Sequence, residues 1–293
     1  MSALFKTVYI LGKRLDDGGI TILSYHSIDE HSTGISVTPR HFEAQMLTLA
    51  AEGCPTFTMT QVGEHIRSKR PFPPRAVAVT FDDGFENIAS VGAPIMARYG
   101  INSTIYVITG MVGRTTQWTA NGTSLPPMPL MTWDQVKRLY ASGIEIGAHT
   151  ITHGFLTRYS PADVARELSE PKMILEEQLG ASITSFAYPQ GDYNPGIATA
   201  ARQAGYTTAV TVDQGRASLG ADPFQLPRLH VGNNTTPDIL KGFTVPAAGP
   251  IYRLINVIIR GLMRRSTWPR PNPDLIQSTT SIETHPLLET EHV

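Results

Sequence analysis

The sequence predicts an α/β fold in which strands and helices alternate about seven times, as in a (β/α) barrel or a doubly wound sheet. Three observations carry this. Short β-branched runs are apolar almost throughout, as strands buried on both faces of a parallel sheet must be. The stretches between them have helical patterns with their own start and stop signals. Nearly every strand ends in a residue that can titrate, ligate or turn sharply, and in parallel α/β folds sites form at the carboxyl ends of strands.

The strand-like runs are 20–25 (ITILSY), 76–81 (AVAVTF), 103–108 (STIYVI), 143–148 (GIEIGA), 183–188 (ITSFAY), 206–212 (YTTAVTV) and 226–231 (LPRLHV). A helix over 38–52 opens on Thr38 and Pro39, a cap followed by proline in the first turn. A second, over 87–99, stops at Gly100. Further helices are expected over 132–142, 160–179 and 194–204, stopping at Gly143, Gly180 and Gly205. The helix over 160–179 starts with the capped run Ser160, Pro161, Ala162, Asp163.

Composition narrows the class. The 293 residues carry 24 Lys+Arg against 25 Asp+Glu, a net charge of -1, which argues against a general nucleic-acid binder. With 41% hydrophobic residues the chain is not intrinsically disordered. The single cysteine, Cys54, excludes an intrachain disulfide and a cysteine-based zinc site, so a metal would need His and carboxylate ligands. The first residues do not read as a signal peptide, because Lys6 breaks the apolar run and Lys13 and Arg14 follow. No apolar run has the length of a transmembrane helix. The expectation is a cytoplasmic protein, or one peripheral at the inner membrane.

Four segments are expected: an extension (1–17), the barrel (18–245), a basic amphipathic helix (246–266) and a disordered tail rich in Pro, Ser and Thr (267–293). The stretch 251–265 carries a stripe of Arg253, Asn256, Arg260 and Arg264. It can dock on the barrel or make peripheral contact with an anionic membrane. The stretch 117–131 is long for a βα loop and is expected at the site end, where Trp118 would offer a stacking platform to a sugar.

The strand ends define the candidate chemistry. The first runs into His26, the second into Asp82 and Asp83, the fourth into His149 and His153, and the fifth into the Tyr188, Pro189, Gln190, Gly191 turn. The seventh carries Arg228 and His230. Two adjacent carboxylates after an apolar strand repel and lose hydration, and a cation beside nearby imidazoles would relieve both costs. One Asp alone is well explained as a turn or helix cap; the pair is not. Two histidines four apart can share one face of a helical turn and point at one ion. With a strand-end carboxylate they make an Asp–His–His set with an open position, the layout of a catalytic zinc site. The stretch lacks the glutamate of the HExxH zinc proteases. Non-haem iron oxygenases use similar ligands, but usually on all-β sandwiches.

TFDDG (80–84), HTITH (149–153) and FAYPQG (186–191), in this order, resemble the polysaccharide deacetylase family, carbohydrate esterase family 4, also called the NodB-homology domain. The resemblance covers about residues 18–232 and includes MTWDQVKRLYASGIEIGAHTITH and ARQAGYTTAV. It implies a distorted (β/α)7 barrel resembling a TIM barrel, and hydrolysis of the acetamido group of an N-acetylated sugar. It also implies Asp82 as general base, and Asp83, His149 and His153 as ligands of a divalent metal, usually zinc. The oxyanion donor would be the backbone N–H of Gln190. Tyr188 and Pro189 of the same motif would face substrate.

The leaving amine needs a general acid. His26, within a YHxI stretch, resembles the acid of the exopolysaccharide deacetylase subgroup with permuted motifs. His230 is the alternative, because the more usual order puts the acid on the last strand. Many members carry an arginine that braces the base; here that position is Ala187, and Arg228 is the candidate to brace Asp82 from the seventh strand. The expected activity is metal-dependent N-deacetylation of N-acetylhexosamine residues in an envelope or exported glycan. Its rivals are a deformylase or deacetylase of a lipid-linked aminosugar, and a catalytically silent carbohydrate-binding protein.

Overall fold

Seven parallel strands close on themselves in the computed structural model, which describes residues 18–31, 33–116, 119–120 and 123–245. They are β1 (Thr21–Tyr25), β2 (Val77–Phe81), β3 (Ser103–Val107), β4 (Glu145–Ala148), β5 (Ser185–Ala187), β6 (Thr208–Gln214) and β7 (Leu226–His230). Each pairs with its neighbours in chain order, and β7 returns to pair with β1. This is the distorted (β/α)7 barrel. The expected extension 1–17, Trp118, the amphipathic helix 246–266 with its membrane contact, and the tail 267–293 lie outside the described residues. Among the described residues no helix is long and apolar enough to cross a membrane.

Strand alternation sorts the side chains into two apolar clusters. Leu23, Tyr25, Val77, Val79, Phe81, Ile105 and Val107 pack outward beneath the helices. Ile22, Ala78, Tyr106, Ala187, Val210 and Leu226 fill the barrel. Gly147 is required there, because a Cβ would come within 2.6 Å of the Tyr106 ring. The outer layer holds α1 (Pro39–Ala51), and α2 (Met59–Arg67) stoppers the amino end of the barrel with Met59, Val62 and Ile66. The remaining α-helices among the described residues are α3 (Ala93–Tyr99), α4 (Trp133–Ala141), α5 (Pro161–Leu179), α6 (Pro195–Gln203) and α7 (Pro237–Phe243).

Two helices, α2 and α7, escape the sequence reading; both are short. A Thr58–Gln61 capping box marks the start of α2 and was the available signal. The helix expected over 87–99 begins as a π-helical turn, Ile88–Gly92, before α3. Pro94 explains this, since its ring removes one ladder donor and crowds the preceding turn. Asn87 does not cap that segment. Its side chain crosses to the short strand Ser27–Ile28 that follows β1, accepting from the Ile28 N–H and donating to Ser27 Oγ.

Register decides where the chemistry emerges. Tyr25 lies opposite Phe81, so His26 and Asp82 leave their strands side by side, and the Asp82 N–H donates to the Tyr25 carbonyl at 3.0 Å. The His149 N–H likewise continues the ladder to the Val107 carbonyl. Between β6 and β7 the register shifts through a bulge that sets Gln214 opposite Arg228.

Candidate active site

Asp82 and Asp83 are adjacent in sequence but serve different neighbours. Asp83 is left-handed (φ 70°) and is followed by Gly84 at φ 76°, so the chain turns sharply after β2. The turn is fixed from the long loop: the Met131 N–H donates to the Gly84 carbonyl and the Glu86 N–H to that of Pro129.

Asp82 is 3% exposed and faces Arg228, itself 1% exposed. Arg228 Nη1 and Nη2 donate to the two carboxylate oxygens at 2.7 and 2.6 Å. Its Nε donates to the Thr211 carbonyl at 2.9 Å and Nη1 also to Thr80 Oγ1 at 3.1 Å. Planar bidentate pairing of this kind is beyond lysine. Burial pushes the Asp82 carboxyl up, but the charge and hydrogen bonds of Arg228, with His149 and His26, outweigh it and hold the group below its ordinary value. Arg228 thus grips both carboxylate oxygens of Asp82 from β7, while Ala187 on β5 is small.

His26 Nε2 lies 3.9 Å from Asp82 Oδ2, with 21% of the His26 side chain exposed. Loss of hydration lowers its pKa, a shift only partly opposed by the charges of Asp82 and Asp83. The His230 ring centre is 6.0 Å away, and that residue is exposed.

Asp83 Oδ1 stands 3.3 Å from His149 Nε2 and 3.2 Å from His153 Nε2, and all three residues are buried. His149 Nδ1 lies 2.8 Å from the Ala187 carbonyl, which can only accept, so the proton sits on Nδ1 and the Nε2 lone pair faces the carboxylate. Asp83 Oδ1 is buried and accepts no hydrogen bond. A cation held among these converging lone pairs would satisfy all three groups. Donors about 2.0–2.1 Å from a tetrahedral ion stand about 3.4 Å apart, close to the separations seen, so the set fits zinc or a similar divalent ion. Burial raises the Asp83 carboxyl, yet the two imidazoles and His26 hold it well below the ordinary carboxylate range. Burial lowers His149, but the neighbouring carboxylates of Asp83 and Asp82 leave it raised.

The expectation that the two histidines share a helical turn is corrected. Residues 149–153 form a non-helical loop, with Thr150 at φ 64° and His153 at φ 60°. Left-handed backbone costs a non-glycine residue about 1–2 kcal/mol. Tethers hold the loop there: the His153 N–H donates to Thr150 Oγ1, and the Thr150 and Ile151 carbonyls accept from Thr109 and Gly110. Glu167 of α5 accepts from the Ile151 and Thr152 N–H groups. Sequence reasoning missed Glu167. The signal was an acid on the apolar stripe of Val164, Leu168, Pro171 and Leu175.

Tyr188 and Pro189 are also corrected as substrate-facing side chains. Tyr188 is 0% exposed, donates its hydroxyl to the Phe224 carbonyl at 3.1 Å and stacks on Tyr193. Pro189 is buried and opens the turn in which Gln190 is left-handed (φ 54°) and exposed.

Comparison with known proteins bears on this arrangement. A family model described as polysaccharide deacetylase matches residues 69–209, a span that contains Asp82, Asp83, His149, His153 and Gln190 but neither His26 nor Arg228. YxkH of Bacillus subtilis is 29% identical over 212 residues, 72% of this chain and 71% of the relative. A poly-beta-1,6-N-acetyl-D-glucosamine N-deacetylase of Staphylococcus aureus is 23% identical over 226 residues, 74% of this chain and 75% of the relative. Among solved structures, the Streptococcus pyogenes deacetylase PplD in complex with acetate superposes with a TM-score of 0.69 at 27% identity, over 77% of this chain and 98% of that one. Fold and family together define a barrel hydrolase of amide C–N bonds. The chain is thus similar to the polysaccharide deacetylases of carbohydrate esterase family 4, and has exopolysaccharide deacetylases among its relatives.

Proposed function

We propose that the chain is a metal-dependent deacetylase that removes the N-acetyl group from N-acetylhexosamine residues of an envelope or exported glycan. The observation that carries this is the convergence of Asp83, His149 and His153 beside an Asp82 clamped by Arg228. The S. aureus relative is named for deacetylating poly-β-1,6-N-acetylglucosamine, and the PplD structure holds acetate, the product such a reaction releases.

Asp83, His149 and His153 would hold the ion, with zinc best suited to two nitrogens and one oxygen. When bound, the ion acidifies water and polarises the amide carbonyl. Asp82 is the general base, kept ionised and in one orientation by Arg228. The Gln190 N–H, on an exposed and sharply turned stretch, is the donor for the oxyanion. His26 protonates the departing amine. Its position 3.9 Å from Asp82 favours it over His230, because a proton taken up by the base and one given to the amine belong to the same small volume.

The test uses protein loaded with zinc and protein stripped by chelator, each incubated with β-1,6-linked N-acetylglucosamine oligomers and with lipid-linked aminosugars. Acetate released from the oligomers by the loaded form alone is the expected result. Formate released from the lipid-linked substrate would move the assignment to a deformylase. Release of neither, with metal bound, would overturn the catalytic reading.

A further inference from the structure

We propose that Glu167 is a positioning residue that presets the loop carrying His153, so that both imidazoles meet Asp83 around a divalent cation. The proposal rests on the metal-site reading above. Glu167 projects from α5, is 1% exposed, and uses both carboxyl oxygens on the loop. Oε2 accepts the Ile151 N–H at 2.8 Å and the Thr152 N–H at 3.1 Å. Oε1 accepts the Thr152 hydroxyl at 2.8 Å.

The two ligands are secured differently. His149 is fixed without Glu167, by the strand ladder through its N–H and by the Ala187 carbonyl through Nδ1. His153 follows a loop whose left-handed residues, Thr150 and His153, favour other conformations once released. Between the two histidines, Glu167 takes the N–H groups of Ile151 and Thr152. Hydrogen bonds from such outer groups orient metal ligands, and their loss typically weakens metal binding roughly 10–100-fold. Without Glu167 the two N–H groups are left without their acceptor, and the loop relaxes to find another.

The test is zinc titration of the metal-free full chain by calorimetry, with the cobalt absorption spectrum as a reporter of coordination geometry. Glu167→Ala is expected to bind zinc roughly 10–100-fold more weakly than wild type and to shift the cobalt spectrum. Glu167→Gln should largely restore both, since its amide oxygen can serve the two N–H groups while its NH2 donates to the Thr152 hydroxyl. Leu168→Ala removes apolar packing from the same helix and keeps the carboxylate that makes all three loop bonds, and is expected to bind zinc like wild type. Equal affinity in Glu167→Ala and Leu168→Ala would overturn the proposal. Should Glu167→Ala fail to fold, Thr152→Val removes one of the three bonds, together with the hydroxyl's contact with Tyr159 Oη at 3.1 Å; weaker binding is expected, and unchanged affinity and spectrum would overturn the proposal. A wild-type chain that binds no ion would sink the metal site itself; a wild-type chain that binds, with an indifferent Glu167→Ala, would sink only the role of Glu167.

Discussion

Replacing Arg228 by alanine is the sharpest probe of this site. Arg228 and Asp82 are 1% and 3% exposed, and they are joined through two hydrogen bonds of 2.7 and 2.6 Å. Removing one partner of a buried pair strands the other charge and typically costs about 3–5 kcal/mol. At about 2–4 °C per kcal/mol for a domain of roughly this size, Tm should fall by about 6–20 °C. The sign of the pH dependence follows from Asp82. In the native protein its pKa lies below the ordinary value, so it contributes stability above the unfolded-state pKa that is lost as pH falls through the folded one. Without Arg228, burial is largely unopposed and the folded pKa rises. The stability gap between variant and wild type should therefore narrow on acidification, as protonation removes the stranded charge. Turnover should drop by as much as the roughly 10²–10⁴-fold that a positioned base contributes, and the acid limb of kcat/KM should move to higher pH. Metal content should stay intact, because none of the three proposed ligands is touched. Arg228→Lys should recover only part, since an ammonium cannot reproduce the fork. Metal loss in step with activity, or an unmoved acid limb, would refute the bracing role.

Four further outcomes are expected. Chelation should abolish activity and lower Tm, and zinc should restore both; zinc at about a thousand times its Kd should add about 4 kcal/mol of stability. His149 is raised in the metal-free protein, so calorimetry in buffers of different ionisation enthalpy should find proton release on zinc binding near neutrality that fades as pH rises above the raised value. His26→Ala should lose roughly 10²–10⁴-fold in turnover with metal retained, while His230→Ala loses much less; the reverse order would assign the acid to the last strand. Tyr188→Phe should cost about 1 kcal/mol of stability, for its bond to the Phe224 carbonyl, and leave KM unchanged; a raised KM would return Tyr188 to the substrate.

Strand–helix alternation and the strand-end positions of His26, Asp82, Asp83, His149 and Arg228 were legible in the sequence, because burial on both faces of a parallel sheet writes continuous apolar runs. What those residues do to one another was not. The loop with His149 and His153 looks helical by spacing, yet left-handed backbone at Thr150 and His153 shapes it, and the tethers that hold it come from Gly110 and Glu167. The Ala187 carbonyl that sets the His149 tautomer is a backbone group, to which residue identity gives no clue. Arg228 reaches Asp82 from 146 residues away only because closure of the barrel brings the last strand beside the first. Tyr188 sits in the motif most suggestive of substrate contact and is instead spent on packing. Local pattern thus determined which groups stand at the mouth of the barrel. Long-range closure and register decided which of them touch, because hydrogen bonds and buried charges are satisfied in three dimensions.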